Sequence, residues 1–304
     1  MPRFVVNSNR SSIPYLPLNE LKSELDALEH GSIDCLSDEE LQSRLRVIHT
    51  GLRSQSPFCD PGNFIYRARR VVERPSTVAS ISYPPSQYAS IGRANRKGEA
   101  MFYGSLRCIP CLQECGAAPG DFFVISIWEV RRQILLAHLG FTGEVMKLAP
   151  APRSLPKYTV YDQDTERNDL IRRWQARLFT RPVLPGAEQQ YRVTIALRDI
   201  MMSNIVAGGA PVGLSTAGIL YPSVATELLA TNIALLPSVV DSDLELKEAI
   251  LLVIDSTDRP HRPDGHVTVT LCDDVAVPDA SGSLVWGQKS ALIILKEFPE
   301  YYSS

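Results

Sequence analysis

The sequence predicts an α+β fold from the way helix-like and strand-like patterns are distributed along the chain. Helical periodicity is concentrated before residue 60 and again in the middle of the chain, whereas short apolar runs cluster elsewhere. The strict alternation of strand and helix that is typical of a doubly wound sheet does not occur. We expect a mixed or antiparallel β core with surrounding helices, an added N-terminal helical segment (1–60) and a main domain (61–304) with a long helical insertion around 145–205.

Two amphipathic helices are predicted in the N-terminal segment. Their apolar residues recur at intervals of three and four: Leu21, Leu25 and Leu28, then Leu41, Leu45 and Ile48. Asn19 and Ser37 are the expected N-caps, and Ser37 with Glu40 fits a capping box. Gly31 and Gly51 are the expected ends of the two helices.

The remaining elements follow from apolar runs and their boundaries. The expected strands are 64–69, 100–103, 121–130, 133–140, 218–221, 233–236, 249–255, 266–272 and 283–286. The expected helices are 109–115, 164–179 and 190–203. Strands 121–130 and 133–140 are separated only by Arg131 and Arg132, which favours a hairpin.

Composition and charge narrow the class of protein. A hydrophobic content of 44% over 304 residues is enough for a substantial core. The net charge of -3 argues against a nucleic-acid binder, and no apolar run reaches the length of about 18 residues that a membrane span needs. The N-terminus lacks a secretory apolar region, so we expect a cytoplasmic protein, with export by a signal-independent secretion system left open.

The six cysteines favour reduced thiols over disulfides or metal. Cys108, Cys111 and Cys115 fall on one helical face, but structural zinc normally has four ligands and no second pair lies nearby. We expect core thiols and no metal site. His261 and His266 lie beside Pro263 and Gly265, which favours a loop over a catalytic base.

Unusual combinations of polar residues stand beside predicted strands at three places. The first is YRAR at 66–69, the second is GRANRKG at 92–98 followed by Tyr103 and Glu114, and the third is YPS at 221–223. Singly, such residues are ordinary surface, core or turn residues. Tyr88, Asn95 and Asn232 are further candidates, although turn or capping roles are the simpler interpretation.

The segment GRANRKGEAMFYGSLRCIPCLQE at 92–114 resembles the signature of RES domains, which are named for an arginine, a glutamate and a serine. Arg67 or Arg93 corresponds to the arginine, Glu114 to the glutamate and Ser223 to the serine. Order and spacing both fit, and a match in several parts is more specific than one short motif. The resemblance extends over roughly residues 64–237.

This resemblance implies a fold like that of the ADP-ribosyltransferases and cleavage of the nicotinamide–ribose bond of NAD by hydrolysis or phosphorolysis. It implies NAD as substrate, no separate cofactor, and a toxin or effector role with an antitoxin or immunity protein as partner. The catalytic residues it implies are Glu114, Tyr103 and Arg67, and the NAD-binding residues are Arg67, Arg93, Asn95, Tyr103 and Ser223. Two alternatives stay open: ADP-ribosyl transfer to a macromolecule, and a non-enzymatic interaction module.

The chemistry of these residue types agrees with that expectation. Arg93 and Arg67 can clamp phosphate oxygens with paired, charge-assisted hydrogen bonds. Loss of nicotinamide leaves positive charge on the ribose, which a carboxylate such as Glu114 stabilises more in the transition state than in the ground state. Tyr103 can pack against nicotinamide or ribose, and Ser223 can bond the ribose or the carboxamide.

Overall fold

The computed structural model of the chain describes residues 16–31, 33–52, 58–141, 166–184, 186–207, 216–223, 230–257 and 267–288. Its α-helices in these ranges are α1 (Leu18–His30), α2 (Asp38–His49), α3 (Val78–Ile81), α4 (Cys108–Glu114), α5 (Glu166–Thr180), α6 (Tyr191–Ala207) and α7 (Pro237–Asp243). The strands are β1 (Phe58–Cys59), β2 (Phe64–Val71), β3 (Phe102–Ser105), β4 (Phe122–Val130), β5 (Ile134–His138), β6 (Thr216–Pro222), β7 (Thr231–Leu235), β8 (Leu244–Thr257), β9 (Val267–Pro278) and β10 (Leu284–Gln288).

The strands form one mixed sheet in the order β1-β5-β6-β7-β3-β2-β4-β8-β9-β10. Among the described strands, β5 and β6 are parallel and the other neighbours are antiparallel. One junction is weak, because β2 and β3 are joined through a single residue pair, Tyr66 with Ser105. By contrast, β2 pairs with β4 along its whole length. The sheet therefore divides into a first half-sheet (β1, β5, β6, β7, β3) and a second half-sheet (β2, β4, β8, β9, β10).

A mixed sheet with helices around it agrees with the predicted core, but the expected hairpin between 121–130 and 133–140 is wrong. Both segments are strands, yet β4 belongs to the second half-sheet and β5 to the first. The physical reason is that both edges of β4 are already occupied, by β2 and by β8. After Val130 the chain turns away, with the amide of Arg131 donating to the carbonyl of Asp243 at 2.7 Å.

The N-terminal segment forms the two predicted helices. The capping box of α2 is confirmed, since the Ser37 hydroxyl accepts from the Glu40 amide at 3.1 Å and the Glu40 carboxylate accepts from the Ser37 amide at 2.8 Å. Asn19 is not the N-cap of α1. That helix begins at Leu18, because the carbonyl of Pro17 already accepts the first helical hydrogen bond, from Leu21.

The leucine stripe of α1 and α2 is buried against the helices of the predicted insertion. Trp174 and Phe179 of α5 share this cluster, as do Ile219, Tyr221 and Ala234 of the first half-sheet. An ion pair between Arg177 and Glu29, at 2.8 Å, adds to the contact between α5 and α1. Burying one large apolar side chain contributes roughly 1.5–3 kcal/mol, so the cluster is a major stabilising element. Helices α1, α2, α5 and α6 thus form one layer on one face of the first half-sheet.

None of the helices in the described ranges combines the length and the apolarity that crossing a bilayer requires.

Candidate functional site

A cleft opens where the two half-sheets divide. It has a volume of about 260 Å³ and is lined by residues from β2, β3, β6, β7, α4 and the loop before β3. The lining residues are Arg67, Ala68, Gly92, Arg93, Tyr103, Gly104, Cys111, Glu114, Cys115, Tyr221 and Asn232. The weak β2–β3 junction therefore provides a concave site whose walls come from segments far apart in sequence.

Glu114 is the carboxylate of this cleft. It ends α4, which is held against β2 by a hydrogen bond from the Cys111 thiol to the carbonyl of Tyr66 at 3.0 Å. Its Oε1 accepts from the Ser223 hydroxyl at 2.5 Å and from the Asn232 side-chain amide at 2.8 Å. Two donors on one oxygen fix the orientation of the carboxylate while the side chain remains exposed.

The two donors come from the ends of neighbouring strands. Ser223 directly follows β6, and its amide donates to the carbonyl of Ala230, which leads into β7. Asn232 is the second residue of β7 and lies opposite Tyr221 of β6. Ser223 is fully buried and does not line the cleft, so its contact with Glu114 makes it a positioning residue.

Arg67 spans the division between the half-sheets. From β2, its Nε donates to the carbonyl of Ser82 at 3.0 Å and its Nη1 to the carbonyl of Tyr103, on β3, at 2.7 Å. The guanidinium also lies 5.4 Å from the ring centroid of Phe102. Burial lowers the pKa of Arg67, but an arginine in a protein stays protonated. The cleft therefore holds a cation in a fixed orientation.

Tyr103 presents its ring to the cleft while its hydroxyl is tied to the wall behind. The hydroxyl donates to Asn95 Oδ1 at 2.7 Å and accepts from the amide of Ala94 at 2.9 Å. Burial raises the pKa of Tyr103, so the phenol is neutral. Gly92 is required at this close approach, because a Cβ there would lie 2.8 Å from Asn95 Oδ1 and 2.9 Å from the Tyr103 hydroxyl.

Asn95 lies behind the cleft and does not line it. Its side-chain nitrogen donates to the carbonyls of Ser90, Arg96 and Glu99 at 2.7, 2.9 and 3.0 Å. Asn95 therefore organises the loop and positions Tyr103, which agrees with the turn role considered from the sequence.

Arg93 lines the cleft but also closes the end of a helix. Its Nη2 donates to the carbonyl of Arg181 at 2.9 Å and its Nη1 to that of Leu178 at 3.4 Å, both at the C-terminal end of α5. A cation at this position satisfies unpaired carbonyls and the helix dipole. The two terminal nitrogens that would clamp a phosphate are thus engaged by the protein itself.

Two cysteines of α4 and the cysteine that directly follows this helix lie in one region, and Cys111 and Cys115 line the cleft. Cys108, Cys111 and Cys115 form no disulfide, and in the described ranges no cluster of three or more His, Cys, Asp or Glu side chains could hold a metal ion. Burial raises the pKa values of Cys111 and Cys115, so both are protonated thiols at neutral pH. His261 and His266 lie outside the described residues.

Sequence reasoning identified much of the cleft, but not the parts that Asn232 and Tyr221 play in it. Arg67, Arg93, Tyr103 and Glu114 line it. Asn232, for which a turn or capping role was the simpler interpretation, instead lies in a strand and binds Glu114. Tyr221 was noted only as part of YPS; its place at a strand end near Ser223 was the available signal. Tyr88 lies outside the lining set and is exposed.

No protein-family model matches the chain, and neither a curated protein nor a solved structure matches it.

Proposed function

We propose that the cleft binds NAD and cleaves the bond between nicotinamide and ribose, on a fold of the ADP-ribosyltransferase type related to RES domains. The observation that carries this proposal is the hydrogen bond between Ser223 and Glu114 in a cleft that Arg67 also lines. These are the three residue types for which RES domains are named, and they lie far apart in sequence. An ordinary surface glutamate is not expected to have its orientation fixed by a buried serine hydroxyl and an asparagine amide, as Glu114 has.

In the proposed reaction, the carboxylate of Glu114 stabilises the charge that develops as the glycosidic bond breaks. As the glycosidic bond breaks, positive charge develops on C1 of the ribose and nicotinamide leaves with the bonding electrons. A carboxylate oriented beforehand stabilises that charge without reorganising during the reaction. Glu114 has this property because Ser223 and Asn232 hold its Oε1. The cation is then captured by water or by inorganic phosphate.

Arg67 supplies the complementary charge for an anionic ligand. Its guanidinium is immobilised by two backbone carbonyls. It could therefore donate to a phosphate oxygen of NAD while losing little further conformational freedom. The cavity of about 260 Å³ is just below the range of roughly 300–1,000 Å³ for ligand pockets. This size favours a site that encloses the nicotinamide end of NAD rather than the whole dinucleotide.

The experiment that tests this proposal identifies the products. Purified protein is incubated with NAD, with and without inorganic phosphate, and the products are analysed by mass spectrometry. Free nicotinamide with ADP-ribose indicates hydrolysis, and ADP-ribose 1″-phosphate indicates phosphorolysis. ADP-ribose attached to protein or nucleic acid would instead favour a transferase. Intact NAD with a folded protein would favour a non-enzymatic module and refute the proposal.

The resemblance also supports a role as a toxin or effector that a protein partner holds in check. Expression of an active NAD-consuming enzyme should lower cellular NAD and arrest growth. Glu114→Gln provides the matched control, since it removes the charge and keeps the shape of the side chain. Growth arrest that is equally strong with this variant would separate toxicity from the proposed chemistry.

A further inference from the structure

The two tyrosines of the cleft use their hydroxyls differently. The hydroxyl of Tyr103 is engaged by Asn95 and Ala94. Tyr221 also lines the cleft, although the residue as a whole is only 5% exposed. Its hydroxyl is not among the buried, unpaired polar atoms of the described residues, so the oxygen is accessible from the cleft. A molecule bound in the cleft can therefore accept a hydrogen bond from it.

The position of Tyr221 relates it directly to the carboxylate. It lies opposite Asn232 in the β6–β7 ladder, and residues paired in this way point to the same face of a sheet. Ser223, two positions further on, also lies on that face. Asn232 and Ser223 are the donors to Glu114. The phenol is therefore held beside the group that acts on the breaking bond.

The ring of Tyr221 is fixed and its hydroxyl is a neutral donor. It packs against Phe179 of α5 with ring centroids 5.5 Å apart and the planes inclined at 48°. Burial first, and the proximity of Tyr103 and Glu114 next, raise the pKa of Tyr221. A protonated phenol can donate a hydrogen bond to an oxygen acceptor.

We infer that the Tyr221 hydroxyl donates a hydrogen bond to an oxygen of the nicotinamide riboside half of NAD. This inference rests on the proposed function, because it assigns the substrate half that faces Glu114. It makes Tyr221 a substrate-binding residue of the reacting end of the site. The oxygen is a ribose hydroxyl or the carboxamide carbonyl, which share the same acceptor chemistry.

Tyr221→Phe tests this inference, because it keeps the ring against Phe179 and removes only the hydroxyl. A hydrogen bond between neutral groups contributes about 0.5–1.5 kcal/mol, so kcat/KM for NAD should fall about threefold to tenfold. The melting temperature should not fall, since no protein hydrogen bond is lost. Tyr103→Phe is the matched control and should lower the melting temperature, because its hydroxyl holds Asn95 and Ala94.

The kinetic constants locate the contact. A bond that strengthens as the glycosidic bond breaks should lower kcat, whereas a bond made equally in the ground state should raise KM. Unchanged kcat and KM in Tyr221→Phe would overturn the inference, and turnover of NAD by the wild-type protein would show that the proposed function still stands. A wild-type protein that does not consume NAD would refute the proposed function and, with it, the assigned partner of Tyr221.

Discussion

Replacing Glu114 by glutamine separates catalysis from binding and from folding. The glutamine carbonyl can still accept from Ser223 and Asn232, so the geometry at Oε1 is retained and only the charge is lost. Removing one preorganised electrostatic stabiliser typically lowers turnover on the order of 100-fold to 1,000-fold, or about 2.7–4 kcal/mol in the activation free energy. The affinity for NAD should change far less, because the charge on the ribose develops only as the bond breaks.

The effect of Glu114→Gln on stability should be small. In its hydrogen bonds with Ser223 and Asn232 the acceptor changes from a charged to a neutral oxygen, and the exposed position of the side chain keeps the loss of stability within about 1 kcal/mol. For a chain of this size that corresponds to a shift of only about 2–4 °C in the melting temperature.

Turnover is measured as the loss of NAD, affinity by calorimetry and stability by thermal unfolding. Glu129→Gln is the control, because Glu129 is likewise held by two partners, here the cations Arg131 and Lys247, but lies outside the cleft. It should leave turnover unchanged. Near-normal turnover in Glu114→Gln would refute the assignment of the carboxylate, and an unfolded variant would make Glu114 a structural residue.

Three further predictions follow from the contacts of the site and the core. Ser223→Ala should lower turnover about 10-fold because Glu114 loses one of the donors that orient it, and it should add little to Glu114→Gln in a double-mutant cycle; additive losses would contradict the positioning role. Gly92→Ala should lower the unfolding free energy by about 1–3 kcal/mol in urea titrations, since its Cβ would displace the Tyr103–Asn95 hydrogen bond; unchanged stability would show that the loop adapts. His49→Gln should flatten the decline in unfolding free energy between pH 6.5 and 4, measured by urea titration at several pH values; parallel pH profiles for variant and wild type would contradict this.

The direction of the pH effect follows from the burial of His49. Its ring bonds the Leu45 carbonyl through Nδ1 at 2.7 Å and the Gln175 amide through Nε2 at 2.8 Å. Desolvation, with a smaller effect of Arg167, lowers the pKa of His49 to about 4 in the folded chain. Below its ordinary value of 6.5 the unfolded chain binds the proton first, so stability is lost as the pH falls towards 4, by roughly 3 kcal/mol in total.

The sequence predicted strands and helices well where the pattern is local and long. The leucine spacing of α1 and α2 and the run that became β4 are examples, because amphipathic or continuous apolar patterns report burial directly. The pairing of the strands was harder to predict from the sequence than their positions. The β4–β5 hairpin was expected from proximity along the chain, but which strands occupy the edges of β4 depends on partners more than a hundred residues away, such as β8.

In the site, too, the roles of single residues depend on partners that are distant in sequence. Glu114 and Ser223 were identified because a motif connects them, not because any local pattern does. For Asn232 the sequence favours a turn or capping role, and only the tertiary structure shows that its amide binds a carboxylate. The short helix α7, Pro237–Asp243, has too few turns for a periodic signal and was not predicted.

The release of nicotinamide from NAD shows directly whether the cleft cleaves the nicotinamide–ribose bond and whether Glu114 is needed for it. Purified wild-type protein and Glu114→Gln are incubated with NAD at equal concentrations, and free nicotinamide is quantified over time. We expect wild-type protein to release one nicotinamide for each NAD consumed and the variant to do so at least about 100-fold more slowly. Folded wild-type protein that leaves NAD intact, or a variant that releases nicotinamide at the wild-type rate, would contradict it.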